Sequence, residues 1–179
     1  SDEEKPVVLV TKDLVLRIKA QIMGIEAQDF STEQVIAEEE QYSGRQQCFV
    51  AEDKFKDFKK KGVSVKELYL SDEMGNKIQP ELVENEFIIL KADQSLKKTH
   101  LGRVEGKKVV PLKYKKSLPY GVKPRNSGQY FLQEALMKPA DEAPLVIVKG
   151  MAGTAKTFYS LAVGLEKILN NPTGEYRRI

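Results

Sequence analysis

The sequence predicts an α/β chain in which a strand–helix–strand segment, a small β-rich module and a strand–loop–helix segment follow one another. Three observations predict it. Apolar runs of four residues, Val7–Val10 and Leu145–Val148, have the length and composition of buried strands. Each leads towards a stretch with helical apolar spacing, the alternation of a parallel α/β sheet. Between them lie short strand-like pieces divided by turn residues.

The elements follow in order. Pro6 precedes Val7-Val8-Leu9-Val10, read as a strand, and Thr11-Lys12-Asp13 punctuates it. Leu14, Ile18 and Ile22 recur at helical spacing, with Gly24 as a natural C-cap. Ile25-Glu26-Ala27 is a second short strand. Residues 31–47 are polar, acidic and without period, and read as a linker. In Ala51–Lys61, Phe55 and Phe58 stand three apart among charges before Gly62, which predicts a short amphipathic helix. Strand-like pieces follow at Lys66–Leu70, Glu86–Lys91, Leu101–Val104 and Lys108–Leu112, the last two joined tightly through Glu105-Gly106-Lys107. Leu118–Pro124, with two prolines and a glycine, is a loop. Gly128–Met137 is a helix stopped by Lys138-Pro139. Pro144 opens the second buried strand, and Lys156–Leu169 is a helix ended by Asn170-Asn171-Pro172.

Composition narrows the chemistry. The chain has 179 residues, 41% hydrophobic and 31% charged, a globular composition that excludes wholesale disorder, collagen and coiled coil. No apolar run approaches the roughly 18 residues of a membrane span, and the acidic start Ser1–Lys5 leads into no signal-peptide core. Cys48 is single, which excludes intrachain disulfides and cysteine zinc clusters; His100 is single, which nearly excludes histidine metal sites and triads, and both residues read as structural. A reducing, cytoplasmic compartment is expected.

Charge is uneven. The net +3 conceals residues 97–123, with nine basic residues against Glu105 alone and with Tyr114 and Tyr120 among them. Cations interleaved with aromatics suit a phosphate backbone with stackable bases, so RNA is the expected partner of this stretch. A solvated hairpin surface is the alternative.

Gly150-Met151-Ala152-Gly153-Thr154-Ala155-Lys156-Thr157 stands between the apolar strand and the last helix, the setting of a phosphate-binding loop. Glycines let backbone N–H groups turn inward, and the helix N-terminus adds partial positive charge. Lys156 would reach the β- and γ-phosphates of ATP and the Thr157 hydroxyl would ligate Mg2+. The glycine usual before the lysine is here Ala155, expected to enter the helix with allowed geometry. The alternative is a glycine-rich loop without a ligand. Gln129 offers an amide able to pair with the N6 and N7 edge of adenine, or is an exposed first-turn residue. Asp13 follows the first strand, where metal-holding carboxylates collect, and Asp29 follows the second. Together they would hold Mg2+ or Mn2+ for phosphodiester hydrolysis; otherwise Asp13 caps its helix and Asp29 is a turn residue.

Tyr120–Gln129 (Tyr-Gly-Val-Lys-Pro-Arg-Asn-Ser-Gly-Gln) and Val148–Ala162, which contains the glycine-rich loop, resemble the start of a PhoH-like ATPase, a P-loop NTPase related to superfamily-one helicases. The resemblance implies Gln129 as the adenine-reading glutamine, Lys156 as the phosphate-binding lysine and Thr157 as the Mg2+ ligand. Leu9–Ala20 and Gly24–Phe30 resemble the C-terminal part of a PIN nuclease domain, by which Asp13 is an acidic metal ligand. Glu84-Asn85-Glu86-Phe87 carries the resemblance into the middle module. The implied architecture joins 1–45 as PIN-like domain and linker, 46–120 as a connecting module and 121–179 as the beginning of the NTPase domain, in a protein that unwinds and cleaves RNA.

No apolar strand ending in Asp-Glu follows the loop, so a second Mg2+-holding carboxylate and an arginine finger are missing from this stretch. The chain is therefore expected to be an internal fragment that does not hydrolyse ATP alone, with a homo-oligomeric ring in the parent protein. The competing reading is a non-enzymatic RNA-binding adaptor that uses residues 97–123.

Overall fold

Residues 7–11, 13–28, 42–72, 74–93, 98–170, 174, 176 and 178 are described by a computed structural model. Ser1–Tyr42 and Ser43–Ile179 are two compact units.

In the first unit, β1 (Leu9–Val10) and β2 (Ala27–Gln28) pair in parallel, with Leu9 opposite Ala27. The crossover between them is α1 (Leu14–Ile22). Gly24 follows α1 at φ +74°, the left-handed geometry that closes a helix most easily without a Cβ. The strand–helix–strand pattern is thus present, with strands two residues long.

The second unit is built on a five-stranded sheet in the order β3-β7-β8-β9-β4. Its strands are β3 (Arg45–Val50), β4 (Val63–Ser64), β7 (Phe87–Ala92), β8 (Thr99–Glu105) and β9 (Lys108–Pro111). β3 runs parallel to β7, and the remaining pairs are antiparallel. Outside this sheet, β5 (Leu70–Ser71) and β6 (Lys77–Ile78) form a separate hairpin.

Strand alternation assigns the two faces. Cys48, Val50, Ile88, Leu90, Ala92, Val104 and Val109 share one face and are all buried. The helix α2 (Glu52–Lys61) covers that face through Phe55 and Phe58. Burying two phenylalanines contributes about 2–3 kcal/mol each. Gly102 makes room for α2, because a Cβ there would stand 2.8 Å from Phe58 Cζ and 2.7 Å from Val109 Cγ1. Gly62 ends α2 at φ +67° with Val109 O in the space a side chain would fill. On the opposite face, Phe87 stacks on Phe131 of α3 (Ser127–Met137), centroids 4.7 Å apart. α4 (Lys156–Leu165) packs on α3, and its chain continues as a π turn over Glu166–Asn170.

Several elements differ from expectation. The linker read over 31–47 gives way to a strand at Arg45; residues 29–41 lie outside the described residues. Lys66–Leu70 is a 3-10 turn over Val65–Glu67 before β5, because Ser64 and Glu67 close a capping box. The last helix leaves α geometry at Glu166. Leu145–Val148 is not a strand. Leu145 is 77% exposed and Ile147 85% exposed, with no neighbouring strand among the described residues to complete a ladder.

Candidate functional site

The loop from Gly150 to Ala155 folds around a single ammonium group. Lys156 Nζ donates to Gly150 O at 2.8 Å, to Met151 O at 2.7 Å and to Thr154 Oγ1 at 3.3 Å. Thr154 Oγ1 itself donates to Met151 O at 2.7 Å. Gly153 takes φ +77°, which turns the chain back towards α4. Ala155 is the N-cap of α4 but supplies no capping side chain. The N–H groups of the first helical turn are therefore presented without the side-chain acceptor that Ser, Thr, Asp or Asn would provide. Donors at a helix N-terminus, a lysine and the exposed Thr157 together fit an anion with an accompanying cation.

Ala155 corrects the sequence reading. It does not enter the helix with right-handed geometry but sits at φ +63°, ψ +21°. A Cβ in this region costs about 1–2 kcal/mol. The usual glycine answers that cost, and this chain keeps the bend with an alanine.

Gln129 lies in the first turn of α3, half-buried. Its Oε1 accepts the Arg125 N–H at 2.8 Å, while Asn126 Oδ1 caps the helix from the Gln129 N–H at 3.0 Å. One lone pair of Oε1 and the amide donors remain for a base edge. Tyr159, one turn into α4, is 2% exposed, and its hydroxyl has no hydrogen-bond partner among the described residues. Burial raises its pKa, the neighbouring Tyr130 adds to that, and Arg125 opposes it. Arg125 and Tyr130 flank Gln129 in the sequence at the start of α3. Sequence reading did not single out Tyr159 or Tyr130, whose only signal was an aromatic on a helix.

Asp13 is the N-cap of α1. Its Oδ1 accepts from Val15 N at 2.9 Å and Leu16 N at 3.1 Å. The capping reading therefore describes one oxygen. Asp29 lies outside the described residues, and among the described residues no three acidic, His or Cys side chains gather as a metal set. The loop and Asp13 fall in different units.

The basic stretch is divided by the fold. Lys107 and Lys108 lie at the β8–β9 turn, where Gly106 takes φ +57°. Arg103 is 8% exposed and is drawn inward onto Asn85 Oδ1 at 2.9 Å and Glu105 Oε2 at 3.0 Å. The 113–117 turn is fastened to α3: buried Glu134 accepts the N–H groups of Lys113 and Tyr114 at 3.0 and 2.8 Å. Gln133 donates to Tyr114 O and Ser117 O at 2.7 and 2.9 Å. Lys113, Lys115 and Lys116 remain exposed on that turn, while Lys97 lies outside the described residues. No helix among the described residues is long and apolar enough to cross a membrane.

A PIN-domain family model matches residues 1–31. The PhoH2 protein of Bacillus subtilis (strain 168) is 28% identical over 177 residues, covering 98% of this chain and 37% of the relative. The PhoH2 protein of Thermobispora bispora is 31% identical over 170 residues, covering 93% of this chain and 34% of the relative. The chain thus spans about a third of the length of the curated relatives it matches. No solved structure matches. The chain thus resembles a PIN domain at its N-terminal end and PhoH2 proteins over most of its length.

Proposed function

We propose that this chain is the ATP-binding segment of a PhoH-like ATPase and RNA helicase coupled to a PIN-type ribonuclease, a cytoplasmic protein that hydrolyses ATP with Mg2+ in RNA processing. The single observation that carries the reading is the position of Lys156. Its ammonium is held by the Gly150 and Met151 carbonyls inside the loop, next to the open first turn of α4. In this reading the carbonyls hold the lysine in place until phosphate oxygens take over its donors. The N–H groups of Ala155, Lys156 and Thr157 bind the phosphates with Gly150–Thr154, and the Thr157 hydroxyl supplies one Mg2+ ligand. Gln129 orients adenine from a backbone position fixed by Asn126. Bound Mg2+ supplies charge neutralisation at the phosphates. The carboxylate that completes the Mg2+ site, and an arginine from a neighbouring subunit of a homo-oligomeric ring, lie elsewhere in the parent protein. At the other end, Asp13, whose cap hydrogen bonds go to Oδ1 alone, would hold Mg2+ or Mn2+ in a PIN-type nuclease site.

Equilibrium binding of Mg2+–ATP tests the reading. Lys156→Ala removes a charged contact made by several donors and is expected to weaken binding about tenfold or more. Unchanged affinity would set the ATPase reading aside. The remaining reading, an RNA-binding adaptor working through residues 97–123, is favoured by one observation: Glu134 and Gln133 hold the lysine-rich 113–117 turn rigidly outward.

A further inference from the structure

The fold brings cations from two distant segments to one imidazole. His100, on β8, stacks against Phe55 of α2 with ring centroids 4.2 Å apart and against Phe58 at 5.5 Å. His100, Gly102 and Val104 share the face that α2 covers, and Gly102 sets how closely the helix approaches. Lys59 follows Phe58 on α2. Three other lysines of that helix spend their charge locally: Lys54 pairs with Glu67, Lys56 with Glu52 and Lys61 with Asp57. Lys59 and Lys60 have no such partner among the described residues. On the far side, Lys115 projects from the turn fastened by Glu134, and its Nζ lies 5.9 Å from the centre of the Tyr130 ring. β9 ends at Pro111 opposite Gly102, so the turn that carries Lys115 starts at the His100 end of β8, and the charges of Lys59 and Lys115 hold the His100 pKa down. Tyr130 lies in the first turn of α3, and the exposed Arg125 stands just before that helix. The result is a series of exposed cations alternating with half-exposed rings, running from α2 past the His100 end of β8 to the start of α3.

We propose that Lys59, His100, Lys115, Tyr130 and Arg125 form a track for single-stranded nucleic acid, the cations holding phosphates and Tyr130 offering a face to a base. The proposal rests on the RNA reading above and moves its centre from the β8–β9 turn to a surface assembled from α2, β8 and α3. Alternating positive charge and aromatic faces suit a single strand, whose bases are free to stack, better than a duplex or an acidic peptide, which has no bases to stack. Like charges gathered on one surface also repel one another, an arrangement that a polyanion relieves.

The test is fluorescence anisotropy of a labelled oligouridine against the full chain between 50 and 200 mM salt, with ATP binding measured in parallel. The paired substitution Lys59→Ala/Lys115→Ala is compared with Lys107→Ala/Lys108→Ala, which removes the same charge from the hairpin tip. The track predicts at least a tenfold loss for the first pair and less than threefold for the second. It also predicts a log–log salt slope reduced by about 1.4 for the first pair, roughly 0.7 per phosphate contact. Tyr130→Ala should weaken binding about fivefold or more while leaving the salt slope unchanged. Equal losses from both pairs overturn the track but leave RNA binding standing. Absence of oligouridine binding by the unaltered chain at 50 mM salt overturns both. Polyglutamate competing as well as oligouridine overturns the nucleic-acid assignment in favour of an acidic protein partner.

Discussion

Asn85 and Lys138, 53 residues apart, meet where the β-rich module joins the last helices: Asn85 Oδ1 accepts from Lys138 Nζ at 3.1 Å. The same oxygen accepts from Arg103 Nη1 at 2.9 Å. Lys138 is 7% exposed and Arg103 8%, so one amide oxygen serves two nearly buried cations. Lys138 also faces Glu142 at 3.6 Å, and its carbonyl accepts from Lys167 Nζ beyond α4. A chain of polar contacts therefore runs from the sheet through the end of α3 to the end of α4. It fixes the helix that carries the Lys156 loop relative to the module.

Asn85 further stands at φ +66°, a backbone region that asparagine adopts at lower cost than alanine. Two substitutions separate the side chain from the backbone. Asn85→Ala loses both hydrogen bonds and adds backbone strain. Asn85→Gly loses the same bonds and removes the strain. Leaving buried cations short of an acceptor costs about 1–3 kcal/mol. Urea unfolding should place Asn85→Ala about 3 kcal/mol below the unaltered chain, with Asn85→Gly about 1 kcal/mol less affected. Equal midpoints for all three proteins would show that the amide supports nothing.

Ala155 gives a prediction of opposite sign. At φ +63° its Cβ works against the bend that precedes Lys156. Ala155→Gly removes that strain but adds unfolded-state entropy, for a net gain of about 0.5–1 kcal/mol. Ala155→Val, bulkier and β-branched, should lose about 2 kcal/mol or more and weaken Mg2+–ATP binding through the distorted loop. Thermal unfolding of the three proteins, together with nucleotide titration, checks the order Gly above Ala above Val.

These sites also show what the residues alone reveal. The α2 helix is legible because Phe55 and Phe58 repeat at helical spacing and Gly62 supplies a stop. The β8–β9 hairpin is legible because Gly106 marks its turn. β3 is hidden, since Arg45-Gln46-Gln47 opens it with polar residues on a sheet edge, where only Cys48 and Val50 reach the core. Leu145–Val148 misleads in the other direction: an apolar run specifies a strand only when a neighbour completes the ladder. At the loop, the lysine and its glycines are readable from type and spacing. The left-handed Ala155 is not, because it follows from the closure of the loop on Lys156. The stacking of Phe55 and Phe58 on His100 is likewise set by the β7–β8 register and by the depth to which Phe58 sinks over Gly102.

Cys48 is fully buried between β3 and β7. Desolvation pushes its thiol pKa up to about 12, and the nearby Glu86 charge adds to the rise. Only the thiolate attacks, so at pH 8 about one thiol in ten thousand is reactive even before access is considered. Ellman's reagent at pH 8 should titrate no thiol in the native chain and one per chain in 6 M guanidinium. Rapid native reaction would mean that the sheet opens readily and that Cys48 is not held in its core.

The last prediction concerns His100, whose pKa is lowered below its ordinary 6.5, first by partial burial under Phe55 and Phe58, then by Lys59 and Lys115, with the Phe55 carbonyl opposing. A histidine that is harder to protonate when folded binds fewer protons than the unfolded chain below pH 6.5. Its contribution to stability is therefore fully present above about pH 6.5 and is lost as pH falls through the lowered folded value. Denaturant midpoints measured from pH 7.5 down to 5 should fall for the unaltered chain and fall less for His100→Gln, the difference opening below pH 6.5. The same imidazole reports on the proposed track. A phosphate placed between Lys59 and Lys115 cancels the two charges that resist protonation, so the His100 pKa followed by proton NMR should rise when oligouridine binds. Lys59→Ala should raise it without any oligonucleotide, and the further rise on binding should then shrink. A His100 pKa that ignores both the lysine and the oligonucleotide would separate the imidazole from the cations assigned to it.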